Sequence, residues 1–161
     1  MKLFTKILAS SLLFASVSVA VPATAQEASA VVVTGDVKQV EVSTDANGEE
    51  VTKLVDLGVT VPGTRLVFRT NYENTTQEVI RNFKLTNPIH PSVRLAPDAD
   101  GDLTVSVDGG NTWGPLSSLS VSGEDGSARS ATHADVTHVR WTIAEIAPGA
   151  GGQVQIPAII R

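Results

Sequence analysis

The residue pattern predicts an all-β chain, folded as an antiparallel β-sandwich behind an N-terminal export signal. Two observations carry this. Short runs of alternating apolar and polar residues recur every 8–12 residues or so, with Gly, Pro, Asn and Asp between them, which is the spacing of sandwich strands. No eleven-residue window after the signal sustains the 3.6-residue period that an amphipathic helix needs. Size agrees: of 161 residues, about 136 remain after the signal, enough for one domain with a core of its own.

The elements follow in order. Residues 26–58 form N-terminal strands joined to the sandwich, and 59–161 form its main portion. Gln26–Ala30 is small and polar. Alternation from Val37 to Ser43, the turn Asp45-Ala46-Asn47-Gly48 and the β-rich run Val51–Leu57 read as a hairpin. After Pro62-Gly63, Leu66, Phe68 and Tyr72 alternate with Arg65, Val67, Arg69 and Asn71, which places the first set inward. Val79–Leu85 is a further strand, and Asn87-Pro88 and His90-Pro91 bound a stiff connection. Val93–Leu95 is short, Leu103–Val107 alternates, and Leu116–Val121 reads as a weaker strand. Val136–Ile143 is a clear β segment. In Val154–Ile160, Pro157 predicts an edge or a bulge, and an edge there is open to pairing with another chain. The predicted inner face comprises Leu66, Phe68, Phe83, Val105, Val139, Trp141 and Ile156.

Residues 1–25 have the order of a secretory signal peptide. Lys2 and Lys6 precede an uncharged apolar stretch, Ile7–Val19, and Ala23-Thr24-Ala25 supplies the cleavage pattern. That stretch is shorter than the roughly 20 residues a membrane span requires. The mature chain shows no other candidate span, so the expectation is export to the periplasm or the extracellular space. Without cysteine, the fold rests on packing and hydrogen bonds rather than disulfides. The formal charge is −5; without Lys2 and Lys6, ten basic residues face seventeen acidic ones, a net −7. An acidic chain with no basic run lacks the footprint of a nucleic-acid binder.

Several segments together resemble a known family. Val61-Pro62-Gly63 leading through a strand to Asn74-Thr75, then Asn87-Pro88-Ile89, then Arg140-Trp141-Thr142 with Ile146-Ala147-Pro148-Gly149 and Val154-Gln155-Ile156, resemble the conserved-repeat domain of bacterial and archaeal surface proteins, domain of unknown function number eleven. The resemblance spans about Val59 to Ala158, in one copy rather than a tandem array. It implies an immunoglobulin-like sandwich and a place outside the cytoplasm. It implies no catalytic residues.

Four groups of residues bear on chemistry. Ser106, Asp108, Gly110, Thr112 and Trp113 form an Asp-box-like motif. Its aspartate can accept hydrogen bonds from turn amides and its glycines can take positive φ, so it is expected to brace a hairpin rather than to catalyse. Asp98, Asp100 and Asp102 set three carboxylates at alternate positions, a loop able to offer hard oxygen ligands to calcium; no Glu stands at the twelfth position of an EF-hand count. His133, Asp135 and His138 contain zinc-ligand types, but the two histidines have opposite parity along a strand. No nucleophile elbow, cysteine nucleophile or phosphate loop stands out. Arg65, Arg69, Arg81, Arg94, Arg129 and Arg140 are scattered, and a solvated sheet face is their default; an exposed arginine-bearing face can also take an acidic glycan or a partner chain. The expectation is a non-enzymatic envelope or extracellular interaction module without a cofactor, its partner another envelope protein or a glycan. The alternative is a small calcium- or carbohydrate-binding module.

Overall fold

The computed structural model describes residues 30–101, 103–123 and 126–161; the signal peptide expected at 1–25 lies outside them. β-Branched alternation produces the longest strand, β1 (Val31–Thr44). Asp45 closes its hairpin, its carboxylate accepting from the backbone N–H of Asn47 at 2.8 Å and of Glu49 at 2.9 Å, and the chain returns as β2 (Glu50–Asp56). There follow β3 (Arg65–Asn74), β4 (Ile80–Pro88), β5 (Val93–Leu95), β6 (Thr104–Ser106) and β7 (Gly114–Pro115). A 3-10 turn at Leu116–Ser118 leads to β8 (Ser120–Ser122), β9 (Ala128–Ser130), β10 (His138–Ile146) and β11 (Gly151–Ile160).

These strands build the expected antiparallel sandwich. One sheet has the order β2-β1-β3-β11-β5, the other β4-β10-β6-β7, and β8 pairs with β9 alone. The links β3 to β4 and β10 to β11 both cross from one sheet to the other. β1 pairs with β3 from Val31–Asn74 to Gln39–Leu66, so the N-terminal strands share the sheet of the remainder.

The core lies between the sheets. Leu95, Leu103, Val105, Leu119, Val136, Val139 and Ile156 cluster there, with Phe68 and Trp141 packed against them; Leu66, Val93 and Ala158 form a second cluster. Of the predicted inner face, Leu66, Val105, Val139 and Ile156 are buried, while Phe68, Phe83 and Trp141 are half-buried.

Four local readings are corrected. β11 is not an edge strand: it is hydrogen-bonded to β3 on one side and β5 on the other. Pro157 is tolerated because its nitrogen faces the end of β5. Its carbonyl accepts from Ala96 N–H at 2.9 Å, and the Ala96 carbonyl, which would have met a residue-157 N–H, instead accepts from Ala99 N–H at 3.0 Å. β4 runs through Asn87 to Pro88, because Ile89 N–H bonds Thr137 O at 2.8 Å and the proline nitrogen faces the open edge. Leu116–Val121 is a 3-10 turn followed by a strand only from Ser120. Finally, β9 was not anticipated, since Ala128–Ser130 carries no apolar alternation.

Candidate functional site

The outer face of the four-stranded sheet is set by parity on β4 and β10. Val139 and Trp141 point inward, so His138, Arg140 and Thr142 point outward. The register places Thr86 opposite Arg140, Lys84 opposite Thr142 and Thr104 on the other flank of Arg140.

The Asp-box loop folds onto this face. Asp108 accepts at Oδ1 from the backbone N–H of Asn111 (3.0 Å) and Thr112 (2.8 Å), and from the Ser106 hydroxyl (2.7 Å). The Thr112 N–H above all, then the Thr112 and Ser106 hydroxyls, hold its carboxyl far below the ordinary 3.8. Gly109 and Gly110 both take positive φ, which turns the chain sharply enough for Gly110 N–H to reach the Ser106 hydroxyl at 2.9 Å. The indole N–H of Trp113 donates to Gly110 O at 2.7 Å. All five motif residues therefore meet in one brace.

The brace fixes the indole against Arg140. The guanidinium carbon sits 3.5 Å from the ring centroid of Trp113, and Arg140 Nε donates to Thr86 Oγ1 at 3.1 Å. His138 meets the same indole edge-on, with centroids 6.2 Å apart. Its Nδ1 lies 3.1 Å from Thr137 Oγ1, a hydroxyl that is also 3.1 Å from Ser106 O.

Among the described residues, the other candidates do not converge. Asp98 is paired with Arg65 at 2.6 Å, and that guanidinium lowers its pKa. Asp100 is exposed and its carbonyl accepts from Leu103 N–H at 3.2 Å; Asp102 lies outside the described residues. Asp135 receives both arms of Arg129, at 2.7 and 2.8 Å, and the N–H and hydroxyl of Thr132. The arginine foremost, with the threonine, draws its carboxyl far below the usual range. It is thus engaged away from His133 and His138. No group of three metal-ligand side chains comes together among the described residues.

A cleft of about 190 Å³ opens between the sheets, walled by Val37, Phe68, Ile89 and Ile156. Its polar lining is already engaged: Asn87 Nδ2 donates to Thr70 Oγ1 at 2.6 Å, and Asp36 pairs with Arg69.

Comparison with known protein families, with curated proteins and with solved structures returns no match. Among the described residues no helix is long and apolar enough to cross a membrane.

Sequence reasoning overlooked Arg140 as a special residue. Arg140 and Trp113 are far apart along the chain, and only the combination of strand parity with the Asp-box brace brings them together. The signal available in the sequence was the position of Arg140 between two inward residues, Val139 and Trp141, beside a tryptophan-ending turn motif.

Proposed function

We propose that this chain is an exported, non-enzymatic interaction module of the cell envelope or the extracellular space. The observation that carries this reading is where its reactive groups stand. The carboxylates that invite chemical roles in the sequence, Asp98, Asp108 and Asp135, are engaged in bonds that hold loops. The most prominent polar group held outward is Arg140, fixed on Trp113 and Thr86. A guanidinium braced in this way is suited to recognition. The signal-like residues 1–25, the acidic net charge and the resemblance to a surface-protein repeat support the compartment.

Cell fractionation with native sizing of the tagged protein, without cross-linker, tests the reading. The expected result is a species larger than the monomer that sediments with the envelope or matrix fraction. A free monomer that stays in the cytoplasm would overturn it.

A further inference from the structure

We infer that the outer face of the four-stranded sheet, centred on Arg140, binds a carboxylate-bearing polysaccharide of the uronate type. The inference rests on the interaction-module reading above and names its ligand class.

The first argument is preorganisation. Arg65, Arg69, Arg81 and Arg129 each hold a carboxylate of this chain, and Arg161 donates to the carbonyls of Val93 and Ala134. Arg140 is different. Its plane is held by the indole and its Nε by Thr86, yet its two Nη groups have no acceptor among the described residues. A guanidinium with a fixed plane and an open fork is the arrangement that receives a carboxylate through two parallel hydrogen bonds. Because the fork is already oriented, little side-chain entropy is lost on binding.

The second argument is charge. The chain as a whole is acidic, at −5. The described carboxylates on or beside this face are already engaged, Glu145 by Arg81 and Asp108 by the amides of its own turn, and neither Lys84 nor Arg140 has an ion-pair partner among the described residues. Lys84 lies diagonally across from Arg140, roughly 7–8 Å away between β-carbons. Two cations without an ion-pair partner among the described residues favour an anion on a molecule whose net charge is negative.

The third argument separates a polysaccharide from an acidic peptide. The patch carries the hydroxyls of Thr86, Thr104 and Thr142 and the imidazole of His138 beside its two cations. A uronate ring offers a carboxylate for the fork and hydroxyls that both donate and accept. An acidic peptide adds no comparable array of hydroxyl donors.

The test is affinity electrophoresis of the purified native protein through gels containing polygalacturonate, neutral dextran or poly-L-glutamate. Retardation by polygalacturonate alone is expected, weakening as salt rises. Arg140→Ala and Arg140→Lys should each lose at least about tenfold in affinity, the lysine variant because charge without the fork does not suffice. Lys84→Ala should lose about threefold, and Arg94→Ala, an arginine outside this face, should bind as the parent does. Circular dichroism and melting of each variant establish that it is folded; because Lys84 is exposed and outside the Trp113 stack, its variant keeps the test decisive if Arg140→Ala unfolds. Absence of retardation by polygalacturonate, equal retardation by poly-L-glutamate, or full binding by folded Arg140 and Lys84 variants would overturn the inference. A protein that sediments with the envelope yet ignores polygalacturonate would leave the module reading standing and refute only this ligand.

Discussion

Asn74 shows how much a single polar side chain can hold. It is fully buried, and its amide nitrogen donates to the carbonyls of Glu78 (2.7 Å), Ile146 (3.0 Å) and Ala147 (3.2 Å), while its oxygen accepts from the N–H and hydroxyl of Thr76. Its backbone adds bonds to Ala150 and Gly149. It thus joins the end of β3 to the loop before β4 and to the β10–β11 loop. Replacing it by Ala removes the side-chain donor to the buried Ile146 carbonyl and the acceptor of Thr76 N–H, so Asn74→Ala is expected to lower stability by about 3 kcal/mol, read by urea unfolding. The Asn-Thr pair was visible in the sequence as turn chemistry. Its burial was not, because asparagine is mostly a surface residue and only the meeting of three segments encloses it. Asp108 and Asp135 set the acid limit of the fold. Both folded-state values lie below the ordinary 3.8, so the stability they add is present above that value and is lost as pH falls toward the folded ones. Melting temperature should therefore drop on acidification below about pH 4. Asp108→Asn and Asp135→Asn should melt lower than the parent at pH 7 and show a shallower acid slope. An unchanged slope in both variants would contradict these roles.

Strands were legible wherever alternation met a turn signal, as in β1, β2, β3 and β10. They were not where pairing, rather than side-chain pattern, decides the backbone. Pro157 pointed to an edge, but an early end to β5 makes room for it inside the sheet. Gly151 and Gly152 looked like loop glycines, yet they open β11. A β-carbon on Gly151 would collide with the backbone oxygen of Tyr72, and one on Gly152 would lie 2.6 Å from Cζ of the Tyr72 ring, which covers it. Gly151→Ala is expected to cost about 2 kcal/mol or more, whereas Gly101→Ala, with open space around the added carbon, should change melting little. The sheet edges carry their own logic. Asn82 in β4 takes a left-handed φ of 53° and no ladder pair joins it to Ala144, which breaks the regularity of that edge. β2 has no such kink; Lys53 is the charge amid Val51, Thr52, Leu54 and Val55. Lys53→Val should therefore promote concentration-dependent self-association, measurable by sedimentation velocity.

At the scale of the whole molecule, the two sheets enclose an interior in which every described buried side-chain polar atom has a hydrogen-bond partner. On the proposed function, recognition then falls to the surface. The Asp-box was readable from the eight residues Ser106–Trp113 because its bonds are local; the Arg140 face was not, because it requires β10, β4 and the Asp-box loop in register. The acidic loop at 98–102 carries less weight, since Arg65 already engages Asp98. Melting in excess calcium and in chelator should accordingly coincide, and a rise of several degrees with calcium would restore that loop as a site. The central claim is that recognition resides on the outer face of the four-stranded sheet. Its most direct measurement is an amide and indole NMR titration of the native protein with short galacturonate oligomers. Shifts concentrated at Lys84, Thr86, Trp113, His138, Arg140 and Thr142 are predicted. Shifts confined to the 98–102 loop, to β2 or to the inter-sheet cleft, or no shifts at all, would contradict it.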